Sequence, residues 1–111
     1  MNPIGKISNE LCLAVTKYRA GGSPCVAIVD RHGDVFGILS INLYGHPDTD
    51  LIGLEDDEFV LNHDFLSGIG KQYVGMAVRS GLVSNTGKTC GYGFCNDIPI
   101  MRITVSGGQD G

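Results

Sequence analysis

The chain has 111 residues, a length that fits one domain, and its hydrophobic fraction of 42% is enough to form a core without disulfides. No apolar run approaches the roughly 18 residues of a membrane-spanning helix, and the first residues, Met1–Lys6, lack the apolar stretch of a secretory signal. We therefore expect a cytoplasmic protein with no membrane partner and reduced cysteines. The net charge of −4 argues against direct nucleic-acid binding, which usually needs a basic surface.

The predicted elements begin with residues 10–20, where two interpretations stay open. Apolar side chains that alternate from Leu11 to Val15 favour a strand. A helix capped by Ser8 and ended by Gly21 is the alternative.

Two further strands are predicted over residues 24–30 and 35–43, and the short turns between successive strands indicate a meander. Gly37 marks a bulge or a close approach of two parts of the chain. Residues 44–55 have the Gly, Pro and Asp content of a loop, and residues 58–62 are typical of a short strand.

The one predicted helix covers about residues 66–80, because apolar side chains recur there at helical spacing and Ser67 and Gly81 suit its two ends. It is expected to pack on one face of a sheet. Two extended segments follow, over residues 88–94 and 98–105.

These elements together predict the fold class. We expect an α+β protein, a small single domain over residues 1–111 with a mostly antiparallel sheet of five to six strands and one helix. Residues 1–9 and 106–111 are expected to be flexible ends.

The charged residues are distributed unevenly along the chain. Residues 32–70 contain eight acidic side chains and no Lys or Arg, whereas the remainder contains eight basic and four acidic side chains. Acidic side chains without nearby cations create a negative field that steers a protein towards basic surfaces. Apolar residues between these acids are typical of the centre of a protein-binding surface. The alternative is a solvated acidic loop, since charge runs usually face water.

We place the binding surface within residues 46–64, called the acidic segment below. Its predicted binding residues are Asp48, Asp50, Glu55, Asp56, Asp57, Glu58 and Phe59.

Several short motifs carry a family resemblance by their order. They are Lys17-Tyr18-Arg19, Ala27-Ile28-Val29-Asp30, Ser40-Ile41-Asn42-Leu43, Leu54-Glu55-Asp56-Asp57-Glu58-Phe59-Val60, Ser80-Gly81-Leu82-Val83, Thr86-Gly87-Lys88, and Gly93-Phe94-Cys95 before Ile98-Pro99. In this order the chain resembles the family catalogued as domain of unknown function 4313, over roughly residues 17–104, although Lys88 stands where the family usually has Arg. The resemblance implies a small protein of a bacterial mobile genetic element, without an assigned activity, and a strand over residues 11–18.

The cysteines offer a second kind of site. Cys90 and Cys95 are separated by four residues, at the edge of the spacing found in zinc sites, and His63 is the candidate third ligand. Zinc is the one cofactor that this pattern suggests. The alternative is no cofactor, with the four cysteines serving as small buried apolar groups.

A third kind of site would be catalytic. Residues 81–89 approach a phosphate-binding loop, but Leu82 stands where the pattern requires Gly, and the predicted helix precedes the loop instead of following it. No recognised motif ties a nucleophile to His63 and Asp64. A nucleotide-related or other small-substrate enzyme would need a pocket that holds His63 or Lys88.

The leading hypothesis is therefore a non-enzymatic binding or inhibitory protein of mobile-element origin. It would dock the acidic segment on a basic host protein, such as a nucleic-acid-binding effector, and an anti-CRISPR-type protein is the first case to test. The two alternatives are a zinc-stabilised structural module and the small-substrate enzyme. The sequence sets no oligomeric state.

Overall fold

A computed structural model describes residues 2–47, 49–50 and 53–104. Within these residues the chain forms two four-stranded antiparallel sheets, with the order β1-β2-β3-β4 in the first sheet and β5-β6-β8-β7 in the second. The elements are β1 (Asn2–Lys6), β2 (Leu11–Lys17), β3 (Pro24–Asp30), β4 (Val35–Ile38), β5 (Ser40–Ile41), β6 (Glu58–Leu61), a 3₁₀ helix (His63–Phe65), α1 (Gly68–Arg79), β7 (Val83–Tyr92) and β8 (Cys95–Ile103). The predicted α+β class with one helix is confirmed, but the expected count of five to six strands is wrong.

The strand interpretation of residues 11–17 is confirmed. β2 pairs with β3 without interruption, from Leu11 opposite Asp30 to Lys17 opposite Pro24. Because side chains alternate between the faces of a strand, Leu13 points into the main core while Ala14 joins a smaller cluster on the other face. The expected meander is present, and β1 extends it by one strand.

The first residues of the chain depart from the prediction of a flexible end over 1–9. Residues 2–6 form β1, which pairs with β2 from Asn2 opposite Val15 to Lys6 opposite Cys12. The other predicted flexible end, residues 106–111, lies outside the described residues.

The single strand predicted over residues 35–43 is two strands in two sheets. β4 pairs with β3, and β5 pairs with β6. Leu39, buried between them, connects the sheets, since its backbone N–H donates to the carbonyl of Val26 at 2.8 Å while its own carbonyl accepts from Asn62 at 2.6 Å. Gly37 is a close approach as predicted, because a Cβ there would lie 3.0 Å from the ring of Phe65.

Helix α1 lies within the predicted 66–80 range and packs on the core. Ser67 occupies the N-cap position, although its side chain makes no capping hydrogen bond. Ala77 is fully buried, and Tyr73 and Val74 pack against the same cluster. Burial of this face compensates for the low helix propensity of the glycines in α1.

One main core holds the two sheets and the helix together. It contains Leu13 and Ile28 from the first sheet, Phe59 and Ile100 from the second, and Ala77 from α1. The radius of gyration, 13.3 Å, matches the value of about 13 Å expected for a compact domain of this size. No helix in the described ranges is long and apolar enough to cross a membrane.

Candidate functional site

Glu58, one of the predicted binding residues, is fully buried and paired with two cations. It begins β6, directly opposite Arg102 of β8. The Nζ of Lys88 lies 2.7 Å from Glu58 Oε2, and the Nη2 of Arg102 lies 2.8 Å from the same oxygen. The backbone N–H of Glu55 donates to Oε1 at 3.0 Å. The prediction that Glu58 is an exposed docking residue is therefore wrong.

The charge state of Glu58 follows from these contacts. Burial alone raises the pKa of a carboxyl group, because it removes water from the charged form. The hydrogen bond from Lys88, the backbone hydrogen bond from Glu55 and the positive charges of Lys88 and Arg102 outweigh burial and hold the pKa of Glu58 below its ordinary value. Glu58 is a structural anion that joins β6, β7 and β8.

The premise that no cation lies beside the acidic segment is also wrong. Arg102 contacts Asp57 as well as Glu58, with 3.3 Å between its Nε and Asp57 Oδ2. Phe59 is only 1% exposed and belongs to the core, so it is not available to a partner in this structure. The cations come from the last quarter of the chain, because the order β6-β8-β7 brings that part beside the acidic segment.

The remaining acidic residues differ in their surroundings. Asp50 is exposed but accepts a hydrogen bond from the backbone N–H of Gly91, which fixes this residue beside β7. Asp48 lies outside the described residues. Glu55 and Asp56 are exposed and make no ion pair within the described part of the chain. Within the described part of the acidic segment, Glu55 and Asp56 are therefore adjacent exposed carboxylates that are held by neither an ion pair nor a side-chain hydrogen bond.

A cleft of about 340 Å³, called the first cleft, lies beside Glu55 and Asp56. It is bounded by the β2–β3 turn, by residues 42–46 and by residues 53–56. Tyr44 lines it and is 71% exposed. A Cβ at Gly21 would lie 2.7 Å from the ring of Tyr44, so the absence of a side chain at Gly21 lets the ring rest on that turn.

A second cleft, of about 510 Å³, adjoins the first and shares Asp56 with it. Its other lining residues are Asn2, Val15, Thr16, Lys17, Pro24, Asp57 and Ile103. Val15 and Ile103 also pack against the main core. The second cleft therefore borders the core, between the last residues of β2, the first residue of β3 and the end of β8.

The predicted zinc ligands lie around Tyr92. Cys90 is buried on β7, Cys95 stands opposite Tyr92 on β8, and Nδ1 of His63 lies 3.3 Å from the hydroxyl oxygen of Tyr92. Burial, followed by the nearby Cys95, Cys90 and Asp64, raises the pKa of Tyr92, although its hydroxyl oxygen also accepts a hydrogen bond from the backbone N–H of His63, which lowers it. Among the residues that the structure describes, no three His, Cys, Asp or Glu side chains are grouped so that they could hold a metal ion.

The residues considered for catalysis occupy other places. Residues 86–88 lie inside β7, where a bulge interrupts its pairing with β8, and Lys88 is held by Glu58. His63 contacts Asp64 at 3.3 Å on an exposed surface. Neither Lys88 nor His63 lines the first or the second cleft.

Sequence reasoning missed Tyr44, Lys17 and Val15 as residues of a candidate site. A tyrosine beside Gly45 in a predicted loop was a usable signal for Tyr44, but Val15 and Lys17 come to the site only through the packing of the two sheets. No family model and no solved structure matches the chain. The resemblance to domain of unknown function 4313 therefore stays a prediction.

Proposed function

We propose that the chain is a binding protein that docks its first cleft on a basic side chain of a partner protein. The observation that carries this proposal is the position of Glu55 and Asp56, two exposed carboxylates without an ion pair in the described residues, beside a concave surface with an exposed Tyr44. The proposal narrows the acidic segment to two adjacent exposed carboxylates that make neither an ion pair nor a side-chain hydrogen bond in the described residues.

The chemistry of the first cleft suits a Lys or Arg side chain. A carboxylate attracts the cation, and an aromatic face within about 6 Å adds roughly 0.5–2 kcal/mol. A surface ion pair alone contributes about 0–1 kcal/mol, so the concave shape and the Tyr44 ring are needed for useful affinity. The backbone of Gly45 and Gly53 lines the cleft without side chains that would restrict access.

The proposed partner is a basic protein of the same compartment, which we take to be the cytoplasm. A nucleic-acid-binding effector of a host is the partner class to test first, because it presents a basic surface and the resemblance implies a protein of a mobile genetic element; binding there would inhibit the effector. Charge attraction of this kind accelerates association and gives specificity more than it gives affinity.

The test begins with affinity capture of partners, followed by measurement of each affinity by isothermal titration calorimetry. We expect Asp56→Lys to weaken binding by about tenfold or more, since reversal replaces an attraction with a repulsion. Asp34→Lys is the matched control, because Asp34 is also exposed but lies in the β3–β4 turn, at the other end of β3 from the first cleft.

The salt dependence of the affinity distinguishes this proposal from binding through apolar contacts alone. Wild-type affinity should fall between about 0.05 M and 0.5 M NaCl, because the screening length shortens from above 10 Å to a few ångströms. An affinity that is the same at both salt concentrations, or an equal loss in Asp34→Lys and Asp56→Lys, would contradict docking through the first cleft.

A further inference from the structure

We propose that the second cleft receives a large apolar side chain from the same partner segment that places its basic residue in the first cleft. The proposal rests on the proposed function and specifies the partner's recognition sequence, an extended segment with one cationic and one apolar residue close together.

The walls of the second cleft supply apolar contacts from both sheets. Val15 and Pro24 come from the first sheet, and Ile103 comes from the second. Its volume of about 510 Å³ lies in the range of 300–1,000 Å³ that is typical of ligand pockets. Because Val15 and Ile103 continue into the main core, an inserted apolar side chain would extend that core.

The rim of the second cleft is polar and determines which side chain enters. Asp57 is paired with Arg102, and Lys17 also lines the cleft, with its Nζ 3.4 Å from the carbonyl oxygen of Gly22. Of the two acids that line the second cleft, Asp57 already faces Arg102, so this cleft attracts a partner cation less than the first cleft does with Glu55 and Asp56. An apolar centre surrounded by polar groups is also the usual anatomy of a protein interface.

The shared Asp56 makes the two clefts one composite surface. Asp56 lines both clefts, so they adjoin at this residue, and we expect nearby side chains of one extended segment to reach both. Exposed Glu55 and Asp56 repel phosphate groups, which favours a protein segment over nucleic acid or an anionic membrane.

The probes are fluorescein-labelled synthetic peptides that contain one Arg and one Leu with one to three residues between them, measured by fluorescence anisotropy with the full chain. The peptide with the best spacing should bind about tenfold more weakly when its Leu is replaced by Ser. The size of this loss should depend little on the salt concentration. Replacement of Arg by Gln should also weaken binding, and that loss should shrink at high salt.

Val15→Thr keeps the shape and strand propensity of the side chain but replaces one methyl group by a hydroxyl group in the wall of the second cleft. For this variant, replacing Leu by Ser in the peptide should reduce affinity by about threefold or less. Replacing Arg by Gln in the peptide should reduce affinity as much as it does for the wild-type protein. Val35→Thr is the matched control, since Val35 is 55% exposed on β4 and lines neither cleft. Urea unfolding of both variants checks that they are folded.

The two proposals fail in different ways. If the Arg residue matters but Leu and Ser peptides bind equally, the second cleft is not used and only this inference is overturned. If the Arg residue does not matter, or if no peptide binds, the proposed function is overturned as well. Tighter binding of duplex DNA or of phosphatidylglycerol vesicles than of every peptide would overturn the choice of a protein segment.

Discussion

Replacement of Glu58 by Gln tests the structural reason why part of the acidic segment is unavailable to a partner. The substitution keeps the size of the side chain and leaves an oxygen that can accept from the Glu55 N–H. It removes the anion that holds Lys88 and Arg102 at 2.7 and 2.8 Å. The amide nitrogen of the introduced Gln is a donor, so it would face the donors of Lys88 and Arg102 where a carboxylate oxygen accepted from them.

The expected loss of stability follows from burial and exposure. Breaking a buried ion pair by removing one partner costs about 3–5 kcal/mol. The side chains of Lys88 and Arg102 are 52% and 42% exposed, so they recover part of their hydration when the anion is lost. We therefore expect Glu58→Gln to lower the free energy of unfolding by about 3 kcal/mol at neutral pH, and the melting temperature by roughly 12 °C or more.

The lowered pKa of Glu58 predicts how the stability difference between wild type and Glu58→Gln changes with pH. The pKa of Glu58 is lowered on folding, so the folded state binds the proton less readily than the unfolded state does. The stabilisation is complete above the unfolded pKa of about 4.3 and is lost as pH falls through the lower folded pKa. The difference between wild type and Glu58→Gln should therefore be largest at neutral pH and should shrink as the pH falls below about 4.

The assay is urea unfolding of both proteins at a series of pH values from neutral to about 3. Asp34→Asn, which removes an exposed acid without an ion pair in the described residues, should change stability by less than about 0.5 kcal/mol. A loss below about 1 kcal/mol for Glu58→Gln, or a difference that is constant over the whole pH range, would refute the assignment of Glu58 as a buried structural anion.

Three further predictions follow from individual contacts. Gly21→Ala should destabilise the protein more than Gly22→Ala, since both have positive φ but only a Cβ at Gly21 meets the Tyr44 ring; equal losses in urea unfolding would contradict this. Ser40→Ala should cost about 2 kcal/mol, because the buried hydroxyl accepts from a backbone N–H of β3 at 2.9 Å; stability like that of wild type would refute that role. Cys90 should be alkylated more slowly than the three partly exposed cysteines near pH 8, since burial and then Asp50 raise its pKa; mass spectrometry that finds equal rates would count against this.

The parts of the fold that were predictable are those set by local pattern. Period-two alternation in residues 11–17 and helical spacing in residues 68–79 each specify one buried face, and the structure contains both elements. The split of residues 35–43 was not predictable in this way. Leu39 and Ser40 make their hydrogen bonds with Val26 and Asn62, so the change of sheet depends on distant strands and not on the local sequence.

The candidate site also combines features that the local sequence predicts with features that depend on distant strands. A run of acids indicated a charged surface, and Glu55 and Asp56 are exposed there. The neutralisation of Glu58 depends on Lys88 and Arg102, which are 30 and 44 residues further along the chain. Only the strand order β6-β8-β7 brings these cations to the acidic segment, and composition along the sequence contains no information on that order.

The most direct test of the central claim is zero-length carbodiimide cross-linking of the wild-type protein to its captured partner, with the linked residues located by mass spectrometry. A carboxylate and a lysine amine are joined only when they are in contact, so the method reports which acid faces the partner. We predict links from Glu55 or Asp56 to a partner lysine. Links that form from Asp34 or Glu10 instead, with none from Glu55 or Asp56, would contradict docking through the first cleft.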